Sequence, residues 1–476
     1  MGGLTDLGAA ELLSALATRR TSATEVMAAV LDRIAAVNGP VNAIVALRDR
    51  DALMAEAAAA DTVPQDRRGP LHGLPMAVKD LAGVRGIRST WGSPILADNV
   101  PDKDDMLPRR LRAAGAILIG KTNTPEFGLG SQSFNPIYGA TATPFDLSRT
   151  AGGSSGGAAA ALAARMLPLA DGSDMMGSLR NPAGFCNVYG FRPTWGRVPT
   201  DPVGDTFLHQ LATDGPMARN VADLALLLQV LAEPDPRLPH GRPNQAFATG
   251  LDTDPRGLRI GWLGDWGGAY ATEPGILDLC QSALATFADM GCTVAPVAPP
   301  YPAEKIWHAW ITLRSWAVAA KLGPWHANPK TRALLKPEAI WEIERGLALS
   351  AMEVHRASVL RSEWNTIAAG LFDQFDVLAL PVAQVWPFAK DTPWPKSIGA
   401  TPMDTYHRWM EVVVPASLIG LPTLAAPAGF GADGLPMGLQ LIGPRGQDHR
   451  VLQLGQSWHR ATDWPGRRPP DLPLSL

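Results

Sequence analysis

The spacing of apolar residues changes along this 476-residue chain, and it begins as a helical pattern. Apolar residues recur every three or four positions from Val26 to Val37, which is the spacing of an amphipathic helix. Ser22, followed three residues later by Glu25, has the pattern of a capping box at the start of that helix. We therefore expect a helical lead-in over residues 5–65.

Farther along, the pattern changes to short apolar runs separated by glycine. Examples are LPMAVKD at 74–80 and AGAILIGKTN at 114–123, each followed by a polar or helical stretch. Such alternation predicts an α/β fold in which helices cover both faces of a sheet. Two glycine-containing turns interrupt this region, GGSSGG at 152–157 and GSDMMGS at 172–178. The first opens an alanine-rich helix that is predicted to run to about Met166.

Beyond residue 232 the pattern is mixed. Proline-rich joints precede a long helical segment at about 303–370, and strand-like runs return at 376–382 and 435–443. We expect these last runs to complete the same sheet. The predicted parts of a single domain, 1–476, are the helical lead-in (5–65), a core with the candidate chemistry (70–232), a variable helical insert that forms the substrate pocket (233–370) and a sheet-completing C-terminal part (371–476).

Composition and charge exclude several classes of protein. Charged residues make up 18% of the chain, with 42 Lys and Arg against 45 Asp and Glu, whereas an average soluble domain has about 25%. No basic surface for nucleic acid is therefore expected. No apolar run reaches the roughly 20 residues that span a bilayer, no signal peptide is evident, and the three cysteines show no C-x-x-C spacing. We expect a cytoplasmic globular protein with no membrane partner.

Two familiar motifs occur in settings that do not suit them. GAILIGKT at 115–122 matches the phosphate-loop pattern, but Ala-Ile-Leu-Ile prefers a buried strand. We predict a core strand that ends at Gly120, with Lys121 leaving the sheet. GGSSG at 152–156 matches the nucleophile elbow, yet polar residues and Pro144 precede it, and no histidine stands in a recognisable setting to act as its base. No metal-ligand spacing such as H-E-x-x-H occurs, so no metal is expected.

Three other segments can act together: 73–80 and the two turns at 152–157 and 172–178. In the first of them, Lys79 follows an apolar tripeptide, so its stem should be half buried. A lysine base requires burial. Its pKa falls from about 10.4 to near 7 only if the ammonium is destabilised by roughly 4 to 5 kcal/mol, and removal from water can supply that free energy. The simpler alternative is a structural lysine paired with Asp80.

The two turns offer serines and backbone amides. GGSSGG lets backbone segments approach without Cβ clashes and can hold unusual backbone angles before a serine, although such a run alone is more often a helix-capping linker. In the second turn, successive amides around Gly177 and Ser178 can point at one spot and form an oxyanion hole. Asp174 and Arg180 flank this turn, and a buried pair there would brace it.

In this order, the segments resemble the motifs of the amidase signature family. The family's lysine motif, Gly-[Ile/Leu]-Pro-x-x-Val-Lys-Asp, is matched at 73–80, its Gly-Gly-Ser-Ser-Gly-Gly turn at 152–157, and its Asp-x-Gly-Gly-Ser-[Ile/Leu]-Arg-x-Pro-Ala turn at 174–183. The likeness is weakest over 235–370. It extends to GKTNTPEFG at 120–128, YGFRPTWGRVP at 189–199, DGPMARNVADLALLL at 214–228 and GLPMGLQLIGP at 434–444.

The resemblance implies a fold and a set of roles. The fold is α/β/α, with a central, mixed and twisted β-sheet covered by helices on both faces. Ser178 is implied to be the nucleophile, Ser154 the serine that follows a cis peptide and relays protons, and Lys79 the base. The amides implied for the oxyanion hole are those of Met175, Met176, Gly177 and Ser178. Supporting residues implied by the same motifs are Gly153, Ser155, Ser173, Asp174 and Arg180. Neither a metal nor a cofactor is implied.

The chain departs from the family's motifs at two places. Met176 stands where the family usually has the first of two glycines before the nucleophile. A left-handed conformation there would be strained, and we expect its side chain to project into the pocket and narrow it. Thr143-Pro144 replaces the family's Asn-Pro and removes one amide side chain near the site. Neither change affects Lys79 or the two serines, so we expect an active enzyme.

The substrate is less constrained by the sequence. The low charge, Met175-Met176 and a tryptophan-rich insert favour uncharged, apolar or aryl amides, with carbamates included. These tryptophans have an alternative role as core or dimer contacts; they are Trp307, Trp310, Trp316, Trp325 and Trp341.

Other functions and assemblies stay open. One alternative is the glutaminase subunit of a tRNA-dependent amidotransferase, for which the insert offers Arg345 and Glu344 but no paired arginines. A non-catalytic amide-binding scaffold is disfavoured, because all three catalytic positions are filled. Some family members dimerise, and the helical lead-in could serve a homodimer.

Overall fold

Short strands and longer helices alternate along residues 3–472, the part of the chain that the computed structural model describes. The strands are β1 (Ile44–Val45), β2 (Pro75–Lys79), β3 (Ile117–Thr122), β4 (Phe134–Asn135), β5 (Gly139–Ala140), β6 (Ala142–Thr143), β7 (Asp146–Thr150), β8 (Leu169–Asp174), β9 (Tyr189–Arg192), β10 (Thr213–Ala218), β11 (Arg259–Trp262), β12 (Thr293–Pro296), β13 (Val377–Pro381), β14 (Ser397–Ile398), β15 (Thr401–Pro402), β16 (Thr423–Phe430) and β17 (Pro436–Ile442).

The helices are most frequent at the N-terminus and between β12 and β13. They are α1 (Ala9–Ala17), α2 (Ala23–Val41), α3 (Arg50–Asp61), α4 (Met106–Ala113), α5 (Gly156–Ala163), α6 (Arg180–Phe185), α7 (Val221–Leu231), α8 (Ile276–Asp289), α9 (Ala303–Ala327), α10 (Pro329–Arg332), α11 (Pro337–Leu347), α12 (Ala351–Leu371), α13 (Val414–Leu418), α14 (Asp448–Thr462) and α15 (Trp464–Arg467). Short 3-10 helices lie at Leu4–Asp6, Gln65–Arg67, Pro94–Leu96, Glu126–Gly128 and Arg408–Val413.

A mixed sheet of eight strands forms the centre of the fold, in the order β12-β11-β13-β17-β16-β9-β10-β8. β11 pairs in parallel with both β12 and β13, and the other neighbours pair antiparallel. Helices cover both faces, as expected of an α/β/α fold. The runs at 376–382 and 435–443 become β13 and β17, which pair with each other. The prediction that they complete the sheet is therefore confirmed.

The insert at 233–370 is not helical throughout. Its first part contributes β11, α8 and β12, and both strands belong to the central sheet. Helices fill only its second part, α9 to α12. The helical segment expected at about 303–370 is thus present, but the description of the whole insert 233–370 as helical is wrong for its first part, whose two strands have four residues each. Strands that short, next to proline-rich joints, carry too few residues to show an alternating pattern.

A second, three-stranded sheet has the order β1-β3-β2, and β2 pairs in parallel with β3. The run Ile117–Thr122 is a fully buried strand, as predicted, and not a phosphate loop. The strand does not end at Gly120, however, and Lys121 does not leave the sheet. Its side chain is fully buried, and its Nζ lies 3.7 Å from the Asp80 carboxylate. A buried counter-charge makes this placement of a lysine possible.

Polar contacts cap the helical lead-in and connect it to helix α7. The Ser22 Oγ accepts the Glu25 amide at 3.1 Å, and the Glu25 carboxylate accepts the Ser22 amide at 2.8 Å, so the predicted capping box is confirmed. Asp223 in α7 accepts the amides of Ala9 and Ala10 at 2.7 and 2.8 Å.

Among residues 3–472, no helix is both long and apolar enough to cross a membrane.

Candidate active site

Lys79 ends strand β2 with its side chain buried. Every residue of β2 is buried, so the strand carries the lysine stem into the interior. Its backbone amide donates to the Asp171 carboxylate at 3.2 Å. Its Nζ lies 2.6 Å from the Ser154 Oγ, 2.8 Å from the Ser155 Oγ and 3.0 Å from the Ser173 Oγ. Three serine hydroxyls therefore surround this amine, and the alternative pairing with Asp80 does not occur, since Asp80 faces Lys121.

The surroundings of Lys79 favour its neutral form. Burial lowers the pKa of its amine to about 7, although the negative charges of Asp171, Asp214 and Asp174 oppose this shift. Its neighbours at hydrogen-bond distance are uncharged oxygens from serine. An amine with a pKa near neutrality can exchange protons with a hydroxyl at physiological pH. The pattern of apolar residues before Lys79 predicted burial, but it did not reveal Asp171.

The glycine–serine turn at 152–157 brings Ser154 to this amine. The peptide bond between Gly153 and Ser154 is cis. A Cβ built on Gly153 would lie 3.0 Å from the Gln132 nitrogen, and one on Gly157 would lie 2.2 Å from the Asn123 nitrogen. Side chains at these positions would therefore collide with neighbouring backbone. Helix α5 begins within this turn, at Gly156, and is buried along its length.

Residues 175–178, here named loop 175–178, follow β8 and lead into α6. The loop turns at Gly177, which has a φ of 79°. The Asp174 carboxylate organises it, because Oδ1 accepts the Gly177 amide at 2.8 Å and Oδ2 accepts the Leu179 amide at 3.1 Å. The Ser178 carbonyl accepts the Ser155 amide at 3.2 Å. That bond connects loop 175–178 to the glycine–serine turn.

Asp174 is held in turn by two buried arginines. Its carboxylate lies 3.0 Å from the Arg180 Nε and 3.2 Å from the Arg192 Nη1. Burial alone would raise the pKa of Asp174, but the two guanidinium groups outweigh it and lower that pKa well below its ordinary value. Arg180 was predicted as the partner of Asp174. Arg192, at the end of β9, was missed, although a charged residue closing the apolar run Tyr-Gly-Phe is a recognisable signal.

The amides of loop 175–178 are not all available to a ligand. In the part of the chain that the structure describes, no hydrogen bond engages the amides of Met175, Met176 or Ser178. The Gly177 amide, by contrast, donates to Asp174. The Gly177 amide, which was expected to contribute to an oxyanion hole, is therefore already engaged by the Asp174 carboxylate.

The two methionines of the loop take different positions. Met176 is 2% exposed and lies in the main hydrophobic core. Its backbone is not left-handed, since Gly177 supplies the positive φ. The expectation that Met176 projects into the pocket is therefore wrong: its sulfur faces the Trp310 indole nitrogen at 3.2 Å. Met175 is half-buried, and its sulfur lies 3.6 Å from the Arg314 Nη1.

Trp91, Phe127 and Trp325 form an aromatic cluster, in which Phe127 is one residue before Gly128. Phe127 and Trp325 stack with centroids 4.8 Å apart, and Trp91 meets Trp325 edge-on at 6.0 Å. The next residue, Gly128, lies against Ser154, since a Cβ built on it would be 3.5 Å from the Ser154 Oγ. All three aromatic rings are only partly buried. The cluster is therefore linked to Ser154 through Gly128, the residue that follows Phe127.

Breaking the pair between Asp174 and its arginines should destabilise the whole protein. We expect Asp174→Asn to lower the free energy of unfolding by about 3 to 5 kcal/mol, because two buried guanidinium groups lose their counter-charge. Denaturant unfolding followed by circular dichroism measures this. The matched control Asp146→Asn, at an exposed ion pair, should change it by at most about 0.5 kcal/mol. Equal stability of the two variants would contradict the role given to Asp174.

Comparisons with known proteins identify the family of this chain. The sequence model of the amidase family matches residues 25–452. The chain is 34% identical over 475 residues to an acylamidase of Rhodococcus erythropolis, covering 98% of this chain and 97% of that protein. It is also 36% identical over 482 residues to one subunit of the glutamyl-tRNA(Gln) amidotransferase of Chloroflexus aurantiacus, covering 96% of each.

Solved structures also superpose on this chain. A bacterial aryl acylamidase of the amidase signature enzymes superposes with a TM-score of 0.89 at 30% identity, over 97% of this chain and 99% of that chain. A 6-aminohexanoate cyclic dimer hydrolase superposes with a TM-score of 0.86 at 26% identity, over 98% of this chain and 99% of that chain. The chain therefore belongs to the amidase signature family, and it is a hydrolase that acts on carbon–nitrogen bonds other than peptide bonds.

Proposed function

We propose that this protein cleaves uncharged, apolar amides, aryl amides included, through an acyl-enzyme formed on Ser178. One observation carries the proposal: the buried Nζ of Lys79, with its pKa lowered to about 7, lies 2.6 Å from the Ser154 Oγ. A neutral amine at that distance can accept the hydroxyl proton. Ser155, which directly follows Ser154, donates its amide to the Ser178 carbonyl at 3.2 Å, so the backbone of the proposed relay serine adjoins that of the proposed nucleophile.

The proton relay runs in both directions during the reaction. The Ser178 Oγ bonds to the substrate carbonyl carbon, its proton passes to the Ser154 Oγ, and the Ser154 proton passes to Lys79. When the tetrahedral intermediate collapses, the C–N bond breaks and the relay returns a proton to the leaving nitrogen. Water then attacks the acyl carbonyl by the same route and releases the acid.

The oxyanion of that intermediate needs hydrogen-bond donors that are fixed before the reaction begins. The amides of Met175, Met176 and Ser178 are free of other partners within residues 3–472 and can serve this purpose. A donor of this kind contributes about 3 to 4 kcal/mol to the stability of the transition state. Gly177 supplies the positive φ that turns the loop.

The aromatic cluster supports an apolar or aryl substrate. Trp91, Phe127 and Trp325 are only partly buried, and Gly128, which directly follows Phe127, lies near Ser154. The names of the acylamidase and aryl acylamidase relatives agree with such a substrate. Aryl carbamates present the same carbonyl carbon to Ser178 and the same ring to the cluster, so we include them in the proposed substrate class.

A second candidate, the glutaminase subunit of a tRNA-dependent amidotransferase, rests on the identity to the Chloroflexus amidotransferase protein. Glutamine carries an ammonium and a carboxylate that need partners near the site. Glu344 binds Arg332 at 2.6 Å and His326 at 3.2 Å, and it lines an open surface recess with Arg345 that includes none of the three proposed catalytic residues. This geometry does not favour glutamine.

We also propose that the protein functions in a reducing compartment such as the cytoplasm, because its cysteines form no disulfide within residues 3–472. The three cysteines are buried and unpaired: Cys186, Cys280 and Cys292.

The substrate class can be tested by comparing turnover of an acyl anilide with that of glutamine. We expect kcat/KM for 4-nitroacetanilide to exceed that for L-glutamine by at least about 100-fold, because the anilide offers an aryl ring to the aromatic cluster, whereas glutamine brings an ammonium and a carboxylate that need partners of their own. An aryl carbamate should also be hydrolysed. Faster hydrolysis of glutamine than of the anilide would contradict the proposal.

The aromatic cluster should act on substrate binding. We expect Trp325→Ala to raise KM for the anilide by about three- to tenfold, because a ring stack of this kind contributes about 0.5 to 1.5 kcal/mol. The control Trp341→Ala removes an exposed tryptophan of α11 that is outside the cluster and should leave KM unchanged. Equal KM values for the two variants would show that the cluster does not contact substrate.

The pH dependence should report the protonation of Lys79. Because the relay needs the neutral amine, kcat/KM should fall below the pKa of Lys79, which is about 7. Removing the nearby negative charge with Asp171→Asn should lower that pKa further and move the acid limb to lower pH. The exposed substitution Asp66→Asn should leave the limb in place. An acid limb that stays fixed or moves to higher pH in Asp171→Asn would contradict this account.

A further inference from the structure

Both methionines of loop 175–178 have their sulfur atoms facing nitrogen donors from helix α9. The Trp310 Nε1 donates to the Met176 Sδ at 3.2 Å, and the Arg314 Nη1 lies 3.6 Å from the Met175 Sδ. Trp310 and Arg314 are one helical turn apart on α9, so they lie on the same face of it. This face of the insert is therefore turned toward the loop that leads to Ser178.

The contact between Trp310 and Met176 is fully enclosed. Trp310 is 0% exposed and Met176 is 2% exposed. A buried indole N–H without an acceptor costs free energy, and among residues 3–472 the Met176 sulfur is the acceptor that this N–H reaches. Thioether sulfur is a weak but real acceptor. The sulfur therefore has a polar role here in addition to filling space.

Hydrogen bonds hold loop 175–178 on both sides of Met176, because Arg192 donates to the Asp174 carbonyl and the Gly177 carbonyl accepts the amides of Arg180 and Asn181. Asp174 fixes the amides of Gly177 and Leu179, on the far side of Met176. The amides of Met175 and Met176 themselves engage no partner within the described chain. Amides that are kept free for a ligand cannot also anchor their own backbone. Within residues 3–472, the hydrogen bond that Met176 itself makes is therefore the one through its sulfur.

The helix that holds this anchor is itself rigidly packed. Arg314 forms a buried ion pair with Glu342 of α11 at 3.0 Å and donates to the Tyr406 hydroxyl at 2.7 Å. α9 and α11 approach closely at Gly346, where a Cβ would lie 2.1 Å from the Ser315 carbonyl oxygen. A donor on such a helix has a fixed position relative to the sheet.

We propose that Met176 and Trp310 are positioning residues: the hydrogen bond from the Trp310 indole to the Met176 sulfur fixes the Met176 peptide so that its amide faces the oxyanion. This rests on the proposed function, in which loop 175–178 stabilises that oxyanion. The bond acts through the loop and does not touch the substrate. Its loss should therefore affect the stability of the transition state more than substrate binding.

The test is a double-substitution cycle with Trp310→Phe and Met176→Leu, assayed on an acyl anilide. Trp310→Phe removes the donor but keeps an aromatic ring, and Met176→Leu removes the acceptor at similar volume. We expect each variant to lower kcat by about three- to tenfold, with KM within about twofold of the wild type. Because both remove the same bond, the double variant should lose no more than the larger single loss.

Controls separate this role from general packing. Met27→Leu, at a fully buried methionine of α2, should leave kcat unchanged, and thermal melting verifies that each variant is folded. Should Trp310→Phe fail to fold, the kcat of Met176→Leu alone decides by the same criterion. A kcat within twofold of wild type in the single variants, losses that multiply in the double variant, or a loss confined to KM would overturn the inference.

Failure of this inference can be told apart from failure of the proposed function. If Ser178→Ala abolishes turnover while Trp310→Phe and Met176→Leu behave as wild type, only the positioning role is wrong. If Ser178→Ala retains turnover, the proposed acyl-enzyme is wrong, and with it the oxyanion that the Met176 amide is proposed to face.

Discussion

Burial of one lysine amine among serine hydroxyls is the constraint on which the rest of the site depends. An ammonium removed from water and given no carboxylate partner is destabilised relative to the neutral amine. Lys79 meets this condition, since its hydrogen-bond partners are Ser154, Ser155 and Ser173. The chain contains a useful contrast in Lys121, equally buried on the adjacent strand but facing the Asp80 carboxylate. Both lysines are buried on a strand, but the Lys79 amine contacts serine hydroxyls and the Lys121 amine faces a carboxylate.

A separate set of interactions holds the loop that carries Ser178. The Asp174 carboxylate accepts two loop amides and lies between two buried guanidinium groups. These arginines also reach distant elements, since Arg180 donates to the Val413 carbonyl and to Gln440 in β17 at 3.0 and 2.6 Å. The C-terminal strands therefore do more than complete the sheet. They position the charges that shape the loop, which explains why one site draws on residues from so much of the chain.

Much of this could be predicted from the sequence, because strong local patterns carry it. The apolar run before Lys79 predicts a buried lysine, Ser22 with Glu25 predicts the start of α2, and Asp174 with Arg180 predicts a buried pair. Features that depend on long-range contacts were missed. β11 and β12 are too short to show a period, and Asp171 is recognisable only once β8 lies beside Lys79. The sequence suggested a free Gly177 amide, whereas the folded loop gives that amide to Asp174.

The central claim is that Ser178 is acylated through a relay from Ser154 to Lys79. The most direct measurement is intact-mass detection of a covalent adduct after treatment with a fluorophosphonate or an activated ester, in the wild type, Ser178→Ala and Ser154→Ala. The account predicts a single adduct on the wild type, none on Ser178→Ala, and greatly slowed labelling of Ser154→Ala, which keeps the nucleophile but loses the relay. An adduct that persists in Ser178→Ala and disappears in Ser154→Ala would contradict the account and identify Ser154 as the nucleophile.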